Sequence, residues 1–236
     1  MQDPTQDPIE LFYWPTPNGW KVSIALEEMG LPYAVTLINI SKGDQFAPDF
    51  LKIAPNNRMP AIIDPQGPGG APVSLFESGA ILQYLARKTG QFYGASDRER
   101  LAVDQWLMWQ MGGLGPMAGQ AHHFLKYAPE PIPYAKDRYR AEVARLYGVL
   151  DRQLAENEYV AGDSFTIADM AIWPWASLWE GQEQSLDDKP QMARWLEQLW
   201  ARPGLIAGRA LEAEQRGDRS DSRAQQVIFG KTAKGQ

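Results

Sequence analysis

The stretch from Ile9 to Gly30, IELFYWPTPNGWKVSIALEEMG, decides the fold. Ile9 to Trp14 is a short apolar and aromatic run ended by Pro15 and Pro17, which reads as a buried strand stopped by residues that cannot continue a ladder. A turn must follow. Beyond it Val22, Ile24, Ala25, Leu26 and Met29 recur on a helical period. Asn18 precedes them as a candidate N-cap, and Gly30 closes the run as a C-terminal stop.

Outward from this strand, turn and helix, Tyr33 to Ile40 supplies a second β-rich run, and Ser41 to Ile53 a weaker helical one interrupted by Gly43 and Pro48. Pro55-Asn56-Asn57 breaks it. Met59 to Asp64 reads as a third strand entered through Pro60, and Pro72 to Phe76 as a fourth. The Gly- and Pro-rich loop Pro65 to Ala71 between them is short enough to predict antiparallel pairing. Ser78 is the expected cap of a further helix carrying Ile81, Leu82, Tyr84 and Leu85 and stopped at Gly90. The order is β-α-β-α-β-β-α. From about Asp97 the character changes: Arg98 to Leu125, Tyr134 to Asn157, Ile167 to Leu178 and Gln191 to Leu199 all favour helix. Two regimes predict two domains, an α/β one at 9–90 and an all-helical one at 97–214, with polar tails at 1–8 and 215–236.

The chain has no cysteine among its 236 residues. A structural disulfide, a Cys-rich zinc site, a CxxC redox pair and a cysteine nucleophile are therefore excluded, and any thiol chemistry has to come from a ligand. A formal charge of −6 argues against general binding to nucleic acid or to an anionic membrane. Hydrophobic residues at 44% provide for a sizeable core. The opening MQDPTQDP lacks the basic start and apolar centre of a secretory signal, and no apolar run approaches the roughly 20 residues of a membrane span, so the expected location is cytoplasmic. His122 and His123 are adjacent, about 100° apart on a helix, so they do not form a two-ligand pair and no metal is expected. Thr166 with Asp169 reads as a capping box, with Phe165 and Met170 at the spacing of a hydrophobic staple, a device for folding and not for chemistry.

Four local features, in this order and spacing, resemble a soluble glutathione transferase: Pro15-Thr16-Pro17-Asn18-Gly19, Arg58-Met59-Pro60-Ala61-Ile62, Phe76-Glu77-Ser78 and Thr166-Ile167-Ala168-Asp169. The PTPNG form, Asn56-Asn57, the Gly112 to Pro116 run and His122-His123-Phe124 are most similar to the bacterial nu-class glutathione-dependent disulfide-bond oxidoreductases. The resemblance implies a thioredoxin-like α/β domain followed by an all-α domain, a homodimer, and glutathione or glutathione disulfide as the small-molecule partner.

It also implies a site. At Glu77-Ser78 a strand hands over to a helix, so backbone amides, the Ser78 hydroxyl and the positive helix end can bind a carboxylate while Glu77 accepts from an ammonium. Those are the two groups of a γ-glutamyl end; a plain cap with an acidic neighbour is the alternative. The resemblance implies a cis peptide at Met59-Pro60, in place of an ordinary trans strand entry, which would turn the Met59 backbone outward to pair with an extended peptide ligand. Gln45 and Arg58 either reach the glycyl carboxylate or are solvated surface residues. Thr16 and Asn18 occupy the turn where a thioredoxin-like protein carries its cysteines, so they are the candidate catalytic donors to a bound thiolate, or else a cap and a turn residue. Lowering that thiol by about two pH units takes about 2.7 kcal/mol, within reach of a helix terminus and one or two hydrogen bonds. Tyr13 is the rival activating group and ranks below them. Arg138 resembles a nu-class arginine that reaches the glutathione of the neighbouring subunit, or is an ordinary solvated helical arginine.

The function expected is thiol–disulfide exchange between bound glutathione molecules, with glutathione as co-substrate. Conjugation of glutathione to an electrophile and a non-catalytic interaction module are the alternatives.

Overall fold

A computed structural model describes residues 7–216 and 227–228. Of the polar tails expected at 1–8 and 215–236, all but residues 7, 8, 215, 216, 227 and 228 lie outside the described residues.

Strand β1 (Ile9–Tyr13) runs into the turn Trp14-Pro15-Thr16 and helix α1 (Pro17–Met29). The cap is Thr16, not Asn18: the Thr16 hydroxyl accepts from the Gly19 backbone N–H at 3.1 Å. Proline explains the shift, because Pro17 has no N–H to leave unsatisfied and its fixed φ suits the first helical position. At the far end Gly30 takes φ 63°, a left-handed geometry that glycine adopts without steric cost, and its N–H bonds back to Glu27 and Leu26 carbonyls.

The following elements are β2 (Tyr33–Leu37), a single helical turn at Asp44–Phe46, α2 (Pro48–Ile53), β3 (Ala61–Asp64), β4 (Val73–Phe76) and α3 (Ser78–Thr89). The sheet order is β2-β1-β3-β4, with β1 parallel to β2 and antiparallel to β3, and β3 antiparallel to β4. This is the thioredoxin-like arrangement. The central strand β1 is covered on both faces. Phe12, Ile38, Phe50, Ala54 and Ala61 form one core cluster, with the Phe12 and Phe50 rings 5.9 Å apart. Tyr13 points to the other face, against α1. There Gly19 is required: a Cβ at this position would lie 2.4 Å from the Trp14 carbonyl oxygen and 2.8 Å from the Tyr13 ring.

Ser78 is the first residue of α3 and not its cap; the Glu77 carbonyl accepts from the Ile81 N–H at 2.9 Å, and Glu77 itself takes φ 68°. The chain packs as two compact units whose division falls inside α3, between Ile81 and Leu82. The first unit also takes up the segment from Ala207, through α9 (Pro203–Ala210), a helix the sequence pattern did not indicate. Within this unit the Ser23 hydroxyl donates to the Gly208 carbonyl at 2.6 Å, and a Cβ on Gly208 would meet the Ile24 backbone at 2.5 Å.

The second unit, residues 82–206, is helical. It comprises α4 (Asp97–Trp109), a π-helical turn at Gln110–Leu114, α5 (Gly115–Lys126), α6 (Pro133–Glu156), α7 (Ile167–Ala176) and α8 (Pro190–Trp200). The expected single helical run from Arg98 to Leu125 is thus two helices joined by a wider turn, closed by Gly115, where a Cβ would lie 2.6 Å from the Gln110 side-chain nitrogen. At the start of α7 the capping box forms as read. Buried Asp169 accepts from the Thr166 N–H at 2.9 Å, the Val160 N–H at 3.0 Å and the Trp195 indole at 2.9 Å, tying three segments to one carboxylate.

Candidate functional site

The first unit gathers at the ends of β1, β3 and β4 nearly every residue singled out in the sequence. Thr16 is 6% exposed. Its hydroxyl accepts the Gly19 N–H and donates its own proton toward the Met59 sulfur, 3.7 Å away, so this donor is already aimed at a thioether across the turn. Asn18 lies half-buried one residue into α1. Tyr13 is a different matter: it is fully buried, and its hydroxyl donates to the Leu211 carbonyl at 3.3 Å. The strand turns this phenol into the core, where its ring packs beside Gly19 of α1.

Met59-Pro60 is cis. Pro60 is buried and Met59 half-buried, packed against the Phe12 and Phe50 cluster, while Arg58 beside it is exposed. Gln45, in the single turn before α2, is buried; its amide donates to the Ile40 carbonyl at 3.3 Å and its amide oxygen has no partner among the described residues. Arg138 lies in the second unit, exposed on α6. Its charge helps hold the Glu142 carboxyl below the usual range, after the larger effect of the Arg145 hydrogen bond.

At the β4–α3 junction the exposed Glu77 carboxylate accepts from the Asn56 side chain at 3.4 Å, and Ser78 is 5% exposed at the first turn of α3. Backbone N–H groups in a helix's first turn have no intrahelical acceptor, and the helix dipole adds positive potential there. A ligand carboxylate suits Ser78 and this turn, and a ligand ammonium suits Glu77.

One residue escaped the sequence reading. Lys21 of α1 is 2% exposed, and its ammonium donates to the Ser78 hydroxyl at 3.4 Å. Burial pulls it from the ordinary 10.5 down to about 7, with the Glu77 charge opposing. The available signal was its place among the apolar residues of α1, between Trp20 and Val22 and four before Ala25. Asn56 is the other addition, through Glu77. Among the described residues no three of His, Asp and Glu gather in a set that could hold a metal, and no helix is long and apolar enough to cross a membrane.

Comparison with known proteins gives this geometry a family. Residues 7–87 match the glutathione S-transferase N-terminal domain and residues 133–198 a glutathione S-transferase C-terminal domain. The chain is 50% identical over 216 residues to the disulfide-bond oxidoreductase YfcG of Escherichia coli K12, covering 91% of this chain and 100% of that protein. A glutathione transferase family member from Pseudomonas fluorescens, crystallised with two glutathione bound, superposes with a TM-score of 0.82 at 44% identity, over 88% of this chain and 94% of that one. A glutathione transferase from Pseudomonas putida, with one glutathione disulfide bound per subunit, gives 0.84 at 41% identity, over 89% and 94%. With its thioredoxin-like sheet, its helical second part and both domain matches in order, the chain belongs to the glutathione S-transferase family.

Proposed function

We propose that this protein is a glutathione-dependent disulfide-bond oxidoreductase in which glutathione supplies every reactive thiol. The observation that carries the reading is the Thr16 hydroxyl, buried at a helix start and already directed at a sulfur atom, in a chain with no cysteine. Relatives of the same architecture support it: YfcG is a disulfide-bond oxidoreductase, and the two Pseudomonas structures hold two glutathiones or one glutathione disulfide.

The γ-glutamyl end binds at the β4–α3 junction, its carboxylate on Ser78 and the first turn of α3 and its ammonium on Glu77. The backbone of Met59, at the cis bond to Pro60, pairs with the cysteinyl residue as an added strand would. Gln45 and Arg58 serve the glycyl carboxylate, and Arg138 serves the glutathione of a partner subunit. This brings the ligand's sulfur to Thr16 and Asn18, whose donors and the start of α1 favour the thiolate. That thiolate attacks one sulfur of a substrate disulfide, forming a mixed disulfide and releasing the other sulfur as a thiolate, which takes up a proton. A second glutathione thiolate attacks the mixed disulfide at the glutathione sulfur, forming glutathione disulfide and releasing the remaining substrate thiolate. Two glutathiones are oxidised and one disulfide is reduced. Holding both in one site replaces a bimolecular encounter with a positioned one.

The chain acts as a homodimer in the cytoplasm, where glutathione is the reducing pool. Leu101 and Met108, two turns apart on α4 and 65% and 52% exposed, supply an apolar stripe of the kind a partner covers. Glutathione-dependent reduction of a model disulfide, measured beside conjugation to a model aryl halide, tests the activity. Fast reduction is expected; fast conjugation without reduction points to a conventional transferase, and no glutathione binding at millimolar concentration to a non-catalytic module.

A further inference from the structure

Past α9 the chain touches the first unit again at a point far from Leu211. Val227 and Ile228 are half-buried, and Val227 lies against the loop that follows β2. A Cβ on Gly43 would meet the Val227 Cγ1 at 3.5 Å and the Phe46 ring at 3.7 Å, ordinary packing distances, so Val227 covers a glycine that has no side chain of its own. The loop is built around Gln45. The Asn39 carbonyl accepts from the N–H groups of Lys42, Gly43 and Asp44, the Asp44 carboxylate accepts from the Asn39 N–H at 2.9 Å, and Gly43 takes φ 91°. The Ile40 carbonyl settles which end of the Gln45 amide is nitrogen, and the buried oxygen is left as an acceptor with no partner among the described residues. A ligand ending in glycine offers both matching groups, an amide N–H for that oxygen and a carboxylate for the nitrogen's second proton.

We infer that Val227 is a positioning residue for the glycyl end of glutathione: seated on Gly43 and Phe46, it holds the loop in the shape that presents Gln45 to the ligand. The inference rests on the proposed glutathione site. A loop held in its binding shape spares the ligand the cost of ordering it, so the gain goes only to ligands long enough to reach Gln45. By the same linkage, such a ligand tightens the seat of Val227.

The test pairs a protein change with a ligand change. S-methylglutathione, which has no thiol to ionise, is titrated calorimetrically into the wild-type protein, Val227→Ser and Val227→Ile, beside the methyl ester of S-methyl-γ-glutamylcysteine, which keeps the γ-glutamyl end and lacks the glycyl N–H and carboxylate. Serine removes the apolar cover without adding a charge. Binding of S-methylglutathione to Val227→Ser should weaken about fivefold, that of the ester should stay unchanged, and Val227→Ile, which keeps the contact, should match the wild type. Equal losses for both ligands, or none for either, overturn the inference. Hydrogen exchange of the wild type decides independently of the variants and of the shorter ligand. S-methylglutathione should slow exchange at the amides of Val227 and Ile228 as well as at the first turn of α3; slowing at α3 with Val227 and Ile228 unchanged contradicts the inference. A wild-type protein that shows neither slowing nor heat of binding instead removes the glutathione site itself, a result distinct from binding without coupling.

Discussion

Replacing Thr16 with valine keeps the shape of the side chain and deletes one oxygen, and that oxygen has two separable duties. As N-cap it accepts the Gly19 N–H at 3.1 Å in a site only 6% exposed, so its loss leaves a helix donor unsatisfied and costs about 1 kcal/mol of stability, within a general range of about 0.5–2. In a protein of this length that lowers the unfolding midpoint by about 2–4 °C. In the role proposed for it, the hydroxyl turns from the Met59 sulfur, 3.7 Å away, to a bound thiolate; a charge-assisted hydrogen bond of about 1.5–3 kcal/mol then means that its removal raises the bound thiol by about one to two pH units. Turnover near neutral pH then falls by about tenfold or more as the thiolate fraction drops. The assay is the ultraviolet absorbance of bound glutathione thiolate against pH, with thermal unfolding in parallel. Thr16→Ser, which keeps the hydroxyl, restores both quantities. Loss of the expected stability in Thr16→Val with the thiolate titration left in place would make Thr16 a cap and nothing more.

The same site separates Tyr13 from Thr16: Tyr13→Phe loses a bond to the Leu211 carbonyl at 3.3 Å, about 1 kcal/mol, and leaves the thiolate titration unmoved. Lys21 makes stability depend on pH. Its folded-state value near 7 lies below the ordinary 10.5, so between these limits the unfolded chain binds the extra proton and stability rises with pH. The ceiling of that rise is roughly 5 kcal/mol at about 1.4 kcal/mol per pH unit. Urea unfolding from pH 6 to pH 10 should show a rise in the wild type that Lys21→Met lacks; parallel curves contradict it. Gly19→Ala drives a Cβ against the Trp14 carbonyl and the Tyr13 ring and should cost about 1–3 kcal/mol, read from the same unfolding curves. Asp169→Ala strands buried donors from Val160, Thr166 and Trp195; a loss of about 3 kcal/mol or more is expected, with the ratio of disulfide to electrophile turnover unchanged in the protein that folds.

How far the sequence speaks for this molecule follows from what kind of force fixed each element. Ile9 to Gly30 was legible because its determinants are local: prolines that end a strand, an apolar helical period, a glycine at the stop. Even there the cap expected at Asn18 falls on Thr16, because Pro17 suits the first helical position. The π-helical turn at Gln110–Leu114 was hidden, since Gly112 and Gly113 carry no side chains to mark a change of period. Helix α9 is short, and its packing on α1 depends on a contact between Ser23 and Gly208 that no local pattern reveals. The candidate residues Thr16, Met59, Glu77 and Ser78 stand out in the sequence as motifs at strand ends, whereas Lys21 does not. A lysine in sequence reads as surface, and only tertiary packing places its ammonium against Ser78. Tyr13 needed the fold as well, because a residue at the end of a strand can turn either way until its neighbour, here Gly19, claims one face.

In the proposed function, glutathione supplies both attacking thiols for disulfide exchange in a protein that has no cysteine. Rapid-quench analysis of one turnover of a mixed aryl disulfide with excess glutathione measures this most directly. The expected result is a glutathione–substrate mixed disulfide that forms on the enzyme and decays to one glutathione disulfide per substrate disulfide reduced, with both steps slowed in Thr16→Val. Stable conjugate through a carbon–sulfur bond, or exchange no faster than in buffer alone, would contradict it.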